Sequence, residues 1–178
     1  MKKIIAIISI LFVIVGCSFG NTPTYKVETY LNRYINNDKD IMSQVDEYLM
    51  INTYTNEQKE KYREIIKKQH QNMKYEIKDE KINGDKATVT TEVKVYDFYK
   101  VNKIANEYLL NNADKFYDEN SSYSEKKYID YVLDKMEKNN DTITNTIIFN
   151  LEKINGKWVI SEIPENDLMK IYGTYEYE

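Results

Sequence analysis

The tetrapeptide Lys-Ile-Asn-Gly occurs at 81–84 and again at 153–156, each time between stretches rich in β-branched and aromatic residues. Asn-Gly in a two-residue loop supplies the positive φ angles of a tight hairpin turn, so each copy predicts a β-hairpin. The first pairs Tyr75 to Lys81 with Lys86 to Tyr96, and the second pairs Thr142 to Glu152 with Lys157 to Ile163. Along 86–96, Ala87, Val89, Thr91, Val93 and Val95 alternate with Thr88, Thr90, Glu92, Lys94 and Tyr96, the pattern of a strand with one buried face. Each turn follows helical sequence, which raises an internal duplication, but two copies of a common turn do not carry that reading.

Outside the hairpins the period is helical. Thr22-Pro23 suits a helix start, and Val27, Tyr30, Leu31, Tyr34 and Ile35 form one apolar stripe that ends at Asn36-Asn37-Asp38. Ile41, Val45, Tyr48 and Leu49 predict a second helix, starting after Asp38 or Asp40. A third opens on the capping-box spacing of Thr55 and Gln58 and runs through Tyr62, Ile65, Ile66, Gln69 and Met73. Between the hairpins, a helix from Val101 carries Ile104, Ala105, Tyr108, Leu109, Ala113 and Phe116 on one side. Another, with Ser122 to Glu125 read as its capping box, carries Ile129, Val132, Leu133 and Met136. A last short helix, Glu165 to Tyr172, lies between Pro164 and Gly173. The fold class expected is α+β: N-terminal helices packed on a curved antiparallel sheet made of two hairpins, with two helices inserted between the hairpins and a short C-terminal helix.

The N-terminus is of another kind. Lys2 and Lys3 precede an apolar run from Ile4 to Val15, broken only by Ser9, and Gly16 then stands before Cys17, the sole cysteine. A helix of that run would be about 18 Å long, short of the roughly 30 Å bilayer core, so it reads as a signal and not a permanent span. Ile14-Val15-Gly16-Cys17 resembles the bacterial lipobox. The resemblance implies cleavage between Gly16 and Cys17 and a diacylglycerol on the Cys17 sulfur. The organisation expected is a signal peptide over 1–16, lipidated cysteine and tether over 17–23, and a single α+β extracytoplasmic domain over 24–178. The implied location is the extracytoplasmic face of the cell membrane, and the partner is the membrane itself through the anchor.

Charge narrows the partners further. The formal charge of −4 becomes −6 without Lys2 and Lys3, which disfavours nucleic acid and unassisted attraction to anionic lipid. Once Cys17 is acylated no thiol is left for a disulfide. The richness in Lys, Asn, Ile and Tyr follows AT-rich codons, as in a low-GC Gram-positive. The opening PTYKVETYLNRYINND and the closing GKWVISEIPENDLMKIYG resemble the two ends of lipoproteins of unassigned role from such bacteria. Those proteins resemble the nuclear-transport-factor-like (cystatin-like cone) superfamily, which implies an early helix in the concave face of a sheet and a cone open to a small ligand.

Catalytic signatures are not found: no H-E-x-x-H, C-x-x-C, phosphate-binding glycine loop or G-x-S-x-G occurs. His70, the only histidine, sits in KKQHQNM and reads as a solvated helix-end residue. Asp97, where a strand yields to a helix, is the carboxylate to inspect for acid–base work, with a helix cap as its ordinary role. No segment has calcium-loop spacing. Trp158 and the clusters Tyr96, Phe98, Tyr99 and Tyr172, Tyr175, Tyr177 could stack on a sugar or peptide, half-buried packing being the ordinary case. The terminal TYEYE alternates like an exposed strand that could pair with a partner edge, a frayed terminus being the ordinary case. The function expected is a non-catalytic binding or interaction module that takes a small ligand, an envelope component or a membrane protein, with no cofactor, no metal and no catalytic residue. The alternative is a pocket enzyme on a cone-like fold.

Overall fold

The structure, a computed structural model, describes residues 20–177. The signal peptide read over 1–16 and the lipidation read at Cys17 lie outside the described residues. Helix α1 (Pro23–Ile35) begins as its sequence requires, with the Thr22 hydroxyl accepting the Tyr25 N–H at 3.1 Å and proline in the first turn. Asp38 caps α2 (Lys39–Ile51), and Thr55 and Gln58 form the reciprocal box that opens α3 (Asn56–Asn72). Strands β1 (Lys74–Asn83) and β2 (Lys86–Tyr96) follow, then α4 (Phe98–Asn111), a 3-10 turn (Ala113–Phe116) and α5 (Glu125–Lys138). Strands β3 (Thr142–Ile154) and β4 (Lys157–Ile160) and helix α6 (Glu165–Tyr172) complete the order.

The strands form an antiparallel meander, β1-β2-β3-β4, in which β2 pairs with β3 from Lys86 opposite Glu152 to Tyr96 opposite Thr142. That register brings both hairpin turns, at Gly84-Asp85 and Asn155-Gly156, to one pole of the sheet. Several boundaries differ from the sequence reading. Strand β1 runs on to Asn83, which pairs with Lys86, so the first hairpin turns on Gly84-Asp85 with Gly84 at φ +61°, and Asn83-Gly84 is not its two-residue loop. Strand β3 runs on to Ile154. The stripe read through Ala113 and Phe116 is broken, α4 ending at Asn111 ahead of the 3-10 turn. Helix α4 starts at Phe98 because Asp97 caps it. Helix α5 is capped by Ser124, since Ser122 is held in a turn that gives its N–H to Asp118 and takes the Asp118 N–H on its carbonyl. Strand β4 ends at Ile160, ahead of Pro164, which has no N–H to offer a ladder.

Two cores result. In the first, Val27, Leu31 and Tyr34 of α1 and Ile171 of α6 pack on the sheet face that presents Val89, Val93, Val95, Ile147, Phe149 and Trp158. In the second, Val45 and Leu49, Ile65 and Ile66, Phe98 and Val101, and Leu133 and Met136 join α2, α3, α4 and α5. Helices α1 and α6 lie over the sheet face, and Ile41 of α2 reaches into the same core. Connectivity explains why the other helices gather at the pole remote from the turns: α3 runs into the start of β1, α4 leaves the end of β2, and α5 returns to the start of β3.

A compact joint links the cores. The Gln69 side chain accepts the Tyr96 N–H at 2.9 Å and donates to the carbonyls of Tyr96 at 3.2 Å and Tyr172 at 2.9 Å, standing in for a missing strand neighbour. Gly173 has φ +69°, and a Cβ there would collide with the Tyr96 carbonyl, so both conformation and space demand glycine. His70 is fully buried, which overturns its reading as a solvated helix-end residue. Tyr34 meets its ring edge-on at 5.3 Å, Tyr172 packs at 5.6 Å, and Asn37 Oδ1 lies 3.1 Å from Nδ1. Burial lowers its pKa to about 4, so the ring is neutral near pH 7.

Candidate functional site

Asp97 is the carboxylate the sequence singled out. It is buried, and both its oxygens are engaged: one accepts the Lys100 N–H at 2.9 Å and caps α4, the other accepts the Tyr177 hydroxyl. That bond to Asp97 raises the Tyr177 pKa to about 12. Asp97 lines neither cleft described below, and its place is the cap.

The expected aromatic clusters form no joint platform. Phe98 is buried in the helical core and Trp158 in the sheet core, with Lys153 Nζ 5.4 Å from the indole. The clusters meet where Tyr99 packs edge-on to Tyr177 at 4.9 Å, and Tyr99 also donates to Glu176 at 3.4 Å. The terminal TYEYE therefore packs back against the start of α4. The space between α1 and the sheet, where a cone would open, is filled by Leu31, Tyr34, Val93 and Phe149.

Two ring-lined clefts lie in the helical half, at residues the sequence placed in apolar stripes or did not single out. Tyr48 of α2 and Tyr62 of α3 stack at 5.6 Å with 29° between their planes, and Tyr54, from the α2–α3 connection, leans on both. Tyr48 is 43% exposed, so its ring is a wall and not a core residue. On one side of this stack a cleft of about 390 Å³ runs between α3, α4 and α5 over Leu133 and Met136. Asn102 and Asn106, one turn apart on α4, bring side-chain amides to it, and Tyr128 gives its hydroxyl to Asn106 Oδ1. On the other side a second cleft, about 430 Å³, runs between α2 and α6 past Leu168 and Tyr172. Tyr48, Tyr62 and Thr174 line both.

No charged side chain lines the first cleft, and Glu165 alone lines the second. Burial, and then the neighbouring Tyr48, pushes the pKa of Tyr62 and of Tyr54 well above the tyrosine range, and burial takes Tyr172 to about 12. These hydroxyls stay protonated at any ordinary pH, able to donate and to accept. A broader depression between α3 and α5 is lined by charged residues and crossed by the Lys61–Glu137 pair at 3.0 Å, a solvated surface groove. Among the described residues no group of three His, Cys, Asp or Glu could hold a metal ion, and no helix is long and apolar enough to cross a membrane.

No family model and no curated protein matches this sequence. Among solved structures it is similar to the candidate lipoprotein YcdA of Bacillus subtilis, at 15% identity and a TM-score of 0.45 over 76% of this chain. The chain spans 45% of the length of that neighbour.

Proposed function

We propose that this chain is a lipid-anchored, non-catalytic binding module of the extracytoplasmic membrane face, and that its tyrosine cleft takes an uncharged, hydroxyl-rich ligand, a glycan of the envelope. One observation carries the ligand class: the cleft lining is free of charge in a chain of which 30% is charged. A charged ligand held there would meet no counter-charge, while a sugar ring finds tyrosine faces for its C–H surface and two asparagine amides for its hydroxyls. The anchor rests on Lys2 and Lys3, the apolar run, and Ile14-Val15-Gly16-Cys17. Two or more acyl chains hold a protein stably at a bilayer. The sheet half, with α1 against one sheet face, is read as a filled version of the cone-like arrangement.

The test is titration of the domain with N-acetylglucosamine oligomers, followed by amide chemical shifts. Shifts centred on residues 48–62 and 102–106, lost in Tyr62→Leu, are expected. Shifts elsewhere, or tighter binding of acidic uronate oligomers, would overturn the ligand class. The anchor is tested separately, since Cys17→Ser should release the domain from membrane pellets or leave it unprocessed.

A further inference from the structure

We propose that the pole of the sheet carrying the two hairpin turns is the face that rests on the bilayer, so that the tyrosine cleft is held out at the opposite pole. This rests on the lipidation of Cys17 proposed above. The structural observation is what happens to the chain four residues after that cysteine. Asn21 Nδ2 donates to the Gly156 carbonyl at 3.0 Å, and Asn21 Oδ1 accepts the Trp158 N–H at 3.3 Å, so one amide brackets the β3–β4 turn. Three residues further on, the Thr24 N–H donates to Glu80 on β1 at 2.8 Å. The segment leading from the anchor is thus fastened to the turn ends of both hairpins.

Length then decides the orientation. Four residue steps separate Cys17 from Asn21, a reach of at most about 14 Å even when fully extended. Strand β2, eleven residues from the turn pole to Tyr96, is about 33 Å long. An anchor with that reach cannot pass the sheet and let the helical pole down onto the lipid while Asn21 keeps its bonds. The turn pole also has a surface suited to the interface. Ile82 is 55% exposed and Ile154 52%, the same position in each Lys-Ile-Asn-Gly repeat. Lys81, Lys86 and Lys157 lie near the same turns, with stems able to lie along the headgroups, while Lys153 lies over the Trp158 ring. Asp79, Glu80, Asp85 and Glu152 stand among these lysines, and Glu152 pairs with Lys86 at 3.7 Å. The pole is close to charge-balanced, so the tether and the isoleucines, not anionic lipid, set the orientation.

Because Cys17 is the only cysteine, its acylation leaves an introduced cysteine as the sole free thiol in the native lipidated chain. The chain is reconstituted into phosphatidylcholine vesicles, with and without phosphatidylglycerol, carrying a fluorophore at Lys157→Cys or, two residues before β3, at Asn140→Cys. A headgroup-bound quencher should quench the 157 label several-fold more than the 140 label in both lipids, and Asn21→Ala should bring the two together. Equal or reversed quenching in chains that float with the vesicles, or a difference that Asn21→Ala leaves unchanged, overturns the orientation. Chains that fail to float and show a free Cys17 thiol overturn the anchor reading, and the orientation with it.

Discussion

The sheet half and the helical half bury their aromatic residues in opposite ways. In the sheet half Tyr34 and Phe149 are sealed against strand side chains, and the Tyr34 hydroxyl is satisfied by Tyr30 at 2.9 Å. In the helical half Tyr48, Tyr54 and Tyr62 stack on one another and keep an edge in open space. Residue type is the same, so architecture makes the difference. A helix laid along a sheet meets a continuous surface and closes on it, whereas four helices gathered at a sheet end diverge and leave gaps that only large rings can line. The sheet half is closed around its rings, and the helical half leaves open space beside its own.

That contrast can be broken at the joint between the halves. Gly173→Ala should cost about 3–5 kcal/mol, because the new methyl meets the Tyr96 carbonyl at a positive φ. A cooperative loss of both halves in urea unfolding is expected; loss of the cleft alone, with the sheet intact, would show that they are separable. The next effect is a pH dependence. His70 has a folded pKa of about 4 against about 6.5 unfolded, so the unfolded chain binds more protons between those values and stability falls as pH drops through them. From pH 7 to 5 the loss should be about 2 kcal/mol, and His70→Gln should flatten that part of the profile.

Two smaller effects sharpen the comparison. The Thr91 hydroxyl is fully buried in the sheet core without a hydrogen-bond partner among the described residues. Thr91→Val should therefore raise stability by about 1 kcal/mol in urea titrations, the sign expected of a sealed apolar site. In the cleft, Asn102→Ala should change stability by no more than about 0.5 kcal/mol while weakening N-acetylglucosamine oligomer binding about tenfold. A large stability loss there would make the amide a structural prop and not a ligand contact.

The elements with strong local chemistry were legible in the sequence. Thr22-Pro23, the Thr55–Gln58 box, the Asn155-Gly156 turn and the Gly173 stop fall where the residues predict them, because each acts over four residues or fewer, whereas the first hairpin turns one residue later than expected, on Gly84-Asp85. The site was much less legible. Tyr48 and Tyr62 lie on apolar stripes indistinguishable from core positions, and Tyr54 follows a helix end with no periodicity to mark it. The one available signal was that two adjacent helical stripes each include a tyrosine with a third between them. His70 was misread because the polar residues around it, Lys68 and Gln71, point outward, while Asn37 and Tyr172, far away in sequence, close over its ring.

The Gln69 amide has one further consequence. It satisfies both backbone groups of Tyr96 and also grips the last turn of α6, whose Tyr172 borders the second cleft. Anything that stiffens that cleft must also steady this triple grip. The backbone proton of Tyr96 accordingly serves as a remote gauge of occupancy, exchanging with deuterium more slowly when the space beside the stacked rings is filled.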